Sequence, residues 1–365
     1  MRAAIATGAG KPLELVNDLE LRAPRAGEVR VRVHACGLCH SDVTVRDSGM
    51  ATPIVLGHEA AGVVEELGAG VEGLAVGDRV VLTPCPPCGV CYFCIRGEAS
   101  LCERSLGVMT NTFADGTTGL ARKGQPVFRG LNVAAFADST VVHATGAVKV
   151  PADTPLDVAC VIGCAVQTGV GAVLNTARVE EGATVLVMGL GGIGLSAVQG
   201  ARLANASRII VSDPVAQRRQ TAKALGATDL LDPKSDDVVA VTRELTGGIG
   251  VDYAFETAGV SALVNAGFFA TRNGGAVVCV GAPPVDQAIT LAPASLFVVS
   301  GKRLLGCLLG SCNSLRDIPR LLALWRAGRL DLESLITSRR PLGEINAAID
   351  DLNAQRGIRT VLSLA

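Results

Sequence analysis

The sequence predicts an α/β protein in which a β-rich, barrel-like part is joined to a doubly wound parallel sheet. Three observations carry this expectation. Up to about residue 150, short apolar runs such as Val80-Val81-Leu82 are punctuated by Gly57, Gly62, Gly68, Gly70, Gly73 and Gly77, the texture of short strands and frequent turns. From about residue 166, apolar strand-like runs alternate with helix-like ones, as a parallel sheet with crossover helices requires. A glycine fingerprint, Gly189-Leu190-Gly191-Gly192-Ile193-Gly194, stands where the first of those strands meets the first of those helices. At 365 residues the chain is too long for one ordinary core, and two domains are expected. Their predicted extents are 1–165 and 166–307, with 308–365 returning to the first.

Period-two alternation in Val29-Arg30-Val31-Arg32-Val33-His34 predicts a half-buried strand. Thr184-Val185-Leu186-Val187-Met188 reads as a buried strand, followed by a helix over 195–203, a strand over 208–211 and a helix over 215–225. Further strands are expected at 251–253 and 276–280, an amphipathic helix over 318–327, and a last strand at Arg359-Thr360-Val361-Leu362. The apolar run Leu296-Phe297-Val298-Val299, with 304–309 beyond it, is either core or a subunit interface.

A formal net charge of -1 without a basic run gives no footprint for nucleic acid or an anionic membrane. No apolar run reaches the length of a membrane helix, and the opening M-R-A-A-I-A-T-G-A-G-K lacks the apolar span of a signal peptide. A cytoplasmic location is therefore expected. In that setting twelve cysteines point to metal binding rather than disulfides.

Residues 36–59 concentrate the chemistry. Cys39, Ser41, Asp42, His58 and Glu59 bring a thiol, a hydroxyl, an imidazole and two carboxylates together beside glycines. Zinc binds thiolate sulfur and imidazole nitrogen, and a catalytic site uses three protein ligands with a fourth position open. This stretch supplies two good ligands, Cys39 and His58, so a third must come from elsewhere. Cys164 is a candidate, and Cys160, one helical turn earlier, is another. Cys88, Cys91, Cys94 and Cys102 form C-x-x-C-x-x-C followed by seven residues and a cysteine, a spacing that can wrap one tetrahedral zinc with no open position. Cys85 is left outside that set.

The glycine fingerprint has its structural context, with a strand before it, a helix after it, and Asp213 at the end of the next strand. Its glycines allow a tight turn and a close approach of pyrophosphate to the helix N-terminus, while the carboxylate accepts hydrogen bonds from the adenosine ribose. That carboxylate also repels a 2′-phosphate, which favours NAD over NADP. Arg218 and Arg219, close by in sequence, qualify the preference.

Together, G-L-C-H-S-D, G-H-E-A-A-G, G-D-R-V, the cysteine lobe, I-G-C-x-x-x-T-G, G-L-G-G-I-G, V-S-D-P and I-R-T-V-L resemble, in order, the zinc-dependent medium-chain alcohol dehydrogenases. The resemblance spans almost the whole chain. It implies a GroES-like β-barrel catalytic domain carrying two zinc ions, one catalytic and one structural, joined to a Rossmann NAD-binding domain. It implies Cys39, His58 and Cys164 as the catalytic zinc ligands, deciding against Cys160. Glu59 matches the carboxylate that can approach the metal, Asp42 the group that orients His58, and Ser41 the hydroxyl that takes the alcohol proton. His40 and Arg359 match positions that contact the cofactor pyrophosphate, and Thr168 lies against the nicotinamide.

The implied reaction is reversible oxidation of an alcohol to an aldehyde or ketone with hydride transfer to NAD. The chain departs from the liver-type pattern at Thr44, where a relay histidine is frequent, and at His40, where an arginine is common. Pro84, Gly130 and Ala282 stand where liver-type enzymes carry larger side chains, which suggests an aromatic or longer-chain alcohol. The alternative is a formaldehyde dehydrogenase acting on an S-hydroxymethyl thiol adduct. A non-catalytic zinc and nucleotide-binding protein disagrees with Cys39, His58, Cys164 and Ser41 occurring together. A homodimer is expected in preference to a tetramer. His34 and His143 read as structural, and Cys36, Cys279, Cys307 and Cys312 as small buried hydrophobes.

Overall fold

The computed structural model describes residues 1–284 and 287–364. The chain falls into two compact units, one formed by Met1–Ala165 with the segment from Cys312 onward, the other by Val166–Ser311. The second boundary lies a few residues beyond the 307/308 position that the sequence suggests. Gly310 and Ser311 stay with the second unit because Asn175 Nδ2 donates to Gly310 O at 3.2 Å and the Thr176 and Ser311 hydroxyls lie 2.8 Å apart.

Among the described residues, the first unit contains a seven-stranded sheet in which Arg79–Leu82, Glu59–Leu67, Glu28–Gly37, Arg359–Ser363 and Ile336–Pro341 are successive neighbours. Val29, Val31 and Val33 point inward while Arg32 and His34 are exposed, the alternation of a strand with one wet face. In register, Gly37 pairs with Glu59 on one side and with Val361 on the other. The turns that carry Cys39 and His58 are thereby brought level with the start of the strand that carries Arg359. A smaller sheet runs Glu14–Val16, Ala3–Ala6, Ile54–Val55, Gln125–Arg129, Leu120–Arg122, Glu20–Leu21. Ile5, Ile54, Leu56, Leu82 and Phe136 fill the apolar interior.

The second unit is a parallel sheet in the order Asp229–Leu231, Arg208–Ser212, Thr184–Met188, Val251–Glu256, Thr271–Cys279, Arg303–Gly306. In chain order this is 3-2-1-4-5-6, the doubly wound arrangement of dinucleotide-binding folds. Leu186, Met188, Ile210, Ala254, Val277 and Phe268 form its core. The helix after the first strand spans Gly192–Leu203, starting earlier than expected because the fingerprint glycines form its first turn. The strand Thr271–Cys279 also begins before residue 276. The apolar run near 296–299 is split: Phe297 packs against the core beside Phe268, while the helix Ala294–Ser300 leaves Val298 and Val299 74% and 77% exposed, beside the edge strand Arg303–Gly306. No single described helix is long and apolar enough to cross a membrane.

Candidate metal centres and nucleotide-binding loop

Cys39 caps the helix His40–Ser48, His58 directly precedes the strand Glu59–Leu67, and Cys164 follows the turn Cys160–Gly163. One donor atom from each of Cys39, His58, Glu59 and Cys164 lies within 4.8 Å of all the others, and all four residues are buried. Zinc held at about 2.3 Å from sulfur and about 2.0 Å from nitrogen sets its ligand atoms roughly 3.5–3.8 Å apart. The donor set fits such an ion in chemistry and in spread. Cys160 is not part of it; its thiol donates to Asp157 O at 3.4 Å.

Asp42 organises the cluster. Its Oδ1 lies 2.9 Å from His58 Nδ1 and accepts from Gly57 N at 2.9 Å, while its Oδ2 accepts from Cys39 N at 3.1 Å. The imidazole is thus oriented by its Nδ1 contact, and the ring also meets the Cys39 side chain within the donor set. Burial alone would lower His58, but the charge and hydrogen bond of Asp42 outweigh it and hold the imidazole well above its ordinary value. A hydrogen bond joins the two thiols, holding Cys39 well below the usual thiol value and pushing Cys164 well above it. Glu59 Oε1 accepts from Ala165 N at 3.1 Å, whereas its buried Oε2 has no hydrogen-bond partner and lies 3.4 Å from Arg359 Nε. Burial raises this carboxyl to about 7. Ser41 Oγ sits 3.8 Å from Cys39 Sγ.

Four thiols form the second centre. Cys88 Sγ and Cys94 Sγ are 3.9 Å apart, and Cys91 Sγ and Cys102 Sγ 3.8 Å. The edge of a zinc–thiolate tetrahedron is about 3.8 Å, so this set also fits, with no position left for a substrate. Main-chain N–H groups point at the sulfurs, Cys91 N to Cys88 Sγ at 3.2 Å and Cys88 N to Cys102 Sγ at 3.3 Å. Cys85 is buried elsewhere, its thiol pushed up to about 12 by burial.

The fingerprint loop meets the requirements of a dinucleotide site. A Cβ on Gly194 would come within 1.8 Å of Gly189 O, whereas one on Gly191 would meet nothing within 4 Å. Gly194 is demanded by helix–strand packing, and Gly191 leaves an open face for a phosphate. Asp213 accepts from Leu190 N at 2.7 Å and Val215 N at 2.8 Å, tying the ends of two adjacent strands together. Arg219 is held by Asp213 O and Asp232 Oδ2, and Arg218 Nη1 lies 4.0 Å from Asp213 Oδ2. Thr168 is buried and Ile193 half-buried. His40 is exposed at the start of its helix. Arg359 is turned inside its own unit, donating to Leu38 O at 2.6 Å.

Two features lay beyond the sequence. Gly130 does not mark free space: a Cβ there would meet Val55 O at 2.7 Å and Leu56 Cα at 3.0 Å. Its smallness is therefore a packing requirement, and only Pro84 and Ala282 remain of the three positions taken to enlarge the substrate site. Next to it Arg129, buried, stacks 3.9 Å over Phe113 and binds Asn132 and Val141 O. Asn132 Nδ2 donates to Pro84 O, and Ala135 N to Gly57 O beside His58. No sequence signal marks this brace, because its partners are mostly main-chain groups.

Residues 25–152 match the alcohol dehydrogenase GroES-like domain and residues 192–326 the zinc-binding dehydrogenase domain. An alcohol dehydrogenase zinc-binding domain protein from Burkholderia ambifaria superposes with a TM-score of 0.93 at 38% identity, covering 100% of this chain and 98% of the other. The benzyl alcohol dehydrogenase of Acinetobacter calcoaceticus gives 0.93 at 32%, covering 100% and 99%. An NAD-dependent alcohol dehydrogenase gives 0.81 at 29%, covering 100% of both chains. With its two donor sets and its dinucleotide loop, the chain belongs to the medium-chain dehydrogenase/reductase family, with the GroES-like domain of alcohol dehydrogenases and the domain of zinc-binding dehydrogenases.

Proposed function

We propose that this protein reversibly oxidises an aromatic or longer-chain alcohol to its aldehyde or ketone with NAD as acceptor. The observation that carries the reading is the buried Cys39–His58–Cys164 set with the Ser41 hydroxyl 3.8 Å from one of its sulfurs. Cys39, His58 and Cys164 would hold the catalytic zinc, and Cys88, Cys91, Cys94 and Cys102 the structural one. When bound, zinc supplies Lewis acidity and NAD the hydride acceptor.

The chain's own residues do the rest. Asp42 fixes the imidazole, Glu59 adds a buried carboxylate beside the donor set, and Ser41 takes the proton of the substrate hydroxyl and passes it outwards. Thr44 offers no base near neutral pH, so Ser41 hands the proton on without a basic side chain at that position. Asp213, with Arg219 already engaged, favours the 2′-hydroxyl of NAD over a 2′-phosphate. Gly189, Gly191, Gly192, Ile193 and Gly194 receive the pyrophosphate, Thr168 supports the nicotinamide, and His40, Arg218 and Arg359 contribute positive charge.

Similarity to a benzyl alcohol dehydrogenase and the small Pro84 and Ala282 side chains support the substrate class. The enzyme works as a homodimer, paired through the apolar edge that carries Leu296, Val298 and Val299, and in the cytoplasm, where its cysteines stay reduced. The test is NAD reduction over aliphatic and benzylic alcohols and over formaldehyde with and without a low-molecular-weight thiol. Highest kcat/KM on a benzylic or long-chain alcohol is expected. A maximum on ethanol, or on the thiol adduct, would overturn the proposal.

A further inference from the structure

Glu256 has no part in the chemistry above, yet it is the buried end of the strand Val251–Glu256. Its Oε1 accepts from Ala258 N at 2.8 Å and Val260 N at 3.1 Å, and the N–H groups of Gly259 and Gly281 also act on the carboxylate. Its main-chain oxygen accepts from Val280 N at 2.9 Å and Gly281 N at 3.0 Å. The residue therefore gathers the turns at the ends of two neighbouring strands. They pack so closely that a Cβ on Gly281 would lie 2.0 Å from Gly259 N. Thr257 Oγ1 in turn donates to Gly189 O at 2.6 Å, fastening the same turn to the first glycine of the phosphate loop. Burial raises the Glu256 carboxyl, and the N–H groups act against that rise. An ionised carboxylate accepts from every N–H it meets, whereas a protonated one must find an acceptor.

In a 3-2-1-4-5-6 sheet the dinucleotide lies across the carboxyl ends of the strands, one mononucleotide on each half. Asp213 follows the strand Arg208–Ser212 in the adenosine half; Glu256 ends the first strand of the other half. The ring bound there carries a positive charge when oxidised and none when reduced. We propose that Glu256 sets the redox preference of the site, its buried carboxylate at the carboxyl end of the nicotinamide half favouring NAD+ over NADH. The inference rests on the NAD reading and concerns a property that reading leaves open.

Binding decides it without turnover. NAD+ is titrated by calorimetry and NADH by fluorescence into the zinc-loaded wild type, Glu256→Gln and Glu256→Asp. Removing the charge in Glu256→Gln weakens NAD+ by at least about threefold more than NADH, as expected for loss of one unit charge acting across a partly screened distance. Equal weakening of both forms would reduce Glu256 to a loop clamp and overturn the proposal. Glu256→Asp keeps the charge and shortens its reach, so both affinities fall together and their ratio stays within about twofold of wild type. A ratio shifted in Glu256→Asp overturns the proposal even where Glu256→Gln does not fold. Wild type that binds neither form would refute the NAD reading instead, a different outcome from either.

Discussion

Asp42 is the most exposed point of the proposed mechanism to a single-atom change. Two oxygens serve three donors: Oδ1 takes Gly57 N and His58 Nδ1, each at 2.9 Å, and Oδ2 takes Cys39 N at 3.1 Å. Asp42→Asn keeps one of those oxygens. Turned to retain His58 and Gly57, the amide sets its NH2 against the Cys39 N–H, leaving a buried donor unmatched at about 1–3 kcal/mol. That penalty falls on the fold, while loss of the carboxylate beneath a ligating histidine costs about 10–100-fold in metal affinity, or roughly 1.4–2.7 kcal/mol. Competition with a chromogenic zinc chelator resolves the two metals. One phase should weaken by about 10–100-fold, while the phase of the four-cysteine lobe, which Asp42 does not touch, stays unchanged. Two unmoved phases, or two that move together, would refute the assignment of Asp42 to His58.

The fingerprint loop predicts a contrast. Gly194→Ala drives a Cβ to within 1.8 Å of Gly189 O and should lower the melting temperature sharply, whereas Gly191→Ala meets nothing within 4 Å and should melt as wild type yet bind NAD at least about tenfold more weakly; unaltered NAD binding by Gly191→Ala would move the pyrophosphate elsewhere. In the lobe, Cys102→Ser should cost one zinc and several degrees in melting temperature, since a closed zinc site contributes folding energy directly; an unchanged melt would deny the lobe its structural role. His143 is lowered to about 4 by burial and by the charges of Arg104 and Arg129. The unfolded chain therefore binds the proton first, and this contribution to stability is complete above about pH 6.5 and is lost as pH falls towards 4. Urea midpoints measured across that window should decline less in His143→Phe than in wild type, and parallel declines would exclude His143 as a source of the acid sensitivity.

Much of the architecture was legible because each unit announces itself by period. Val29, Val31 and Val33 alternate, and the run Thr184–Met188 leads directly into a glycine fingerprint and an apolar helix. The four-cysteine lobe was legible because spacing alone limits its geometry. Spacing could not choose between Cys160 and Cys164, since one helical turn separates them; the backbone decided, turning Cys164 to Cys39 and Cys160 to Asp157 O. Gly130 misled in the opposite sense, because a missing side chain looks the same in sequence whether the space is open or filled by the Val55–Leu56 backbone. Glu256 and the Arg129–Asn132 brace were invisible because their partners are main-chain N–H and C=O groups, which every residue carries.

The central claim is that Cys39, His58 and Cys164 form a catalytic zinc centre separate from the four-cysteine lobe. Zinc content and NAD reduction measured together on Cys164→Ser, with Cys160→Ser as the control, test it most directly. Two zincs and full activity are expected in Cys160→Ser, and one zinc with no NAD reduction in a folded Cys164→Ser. Two zincs and retained activity in Cys164→Ser would contradict the claim.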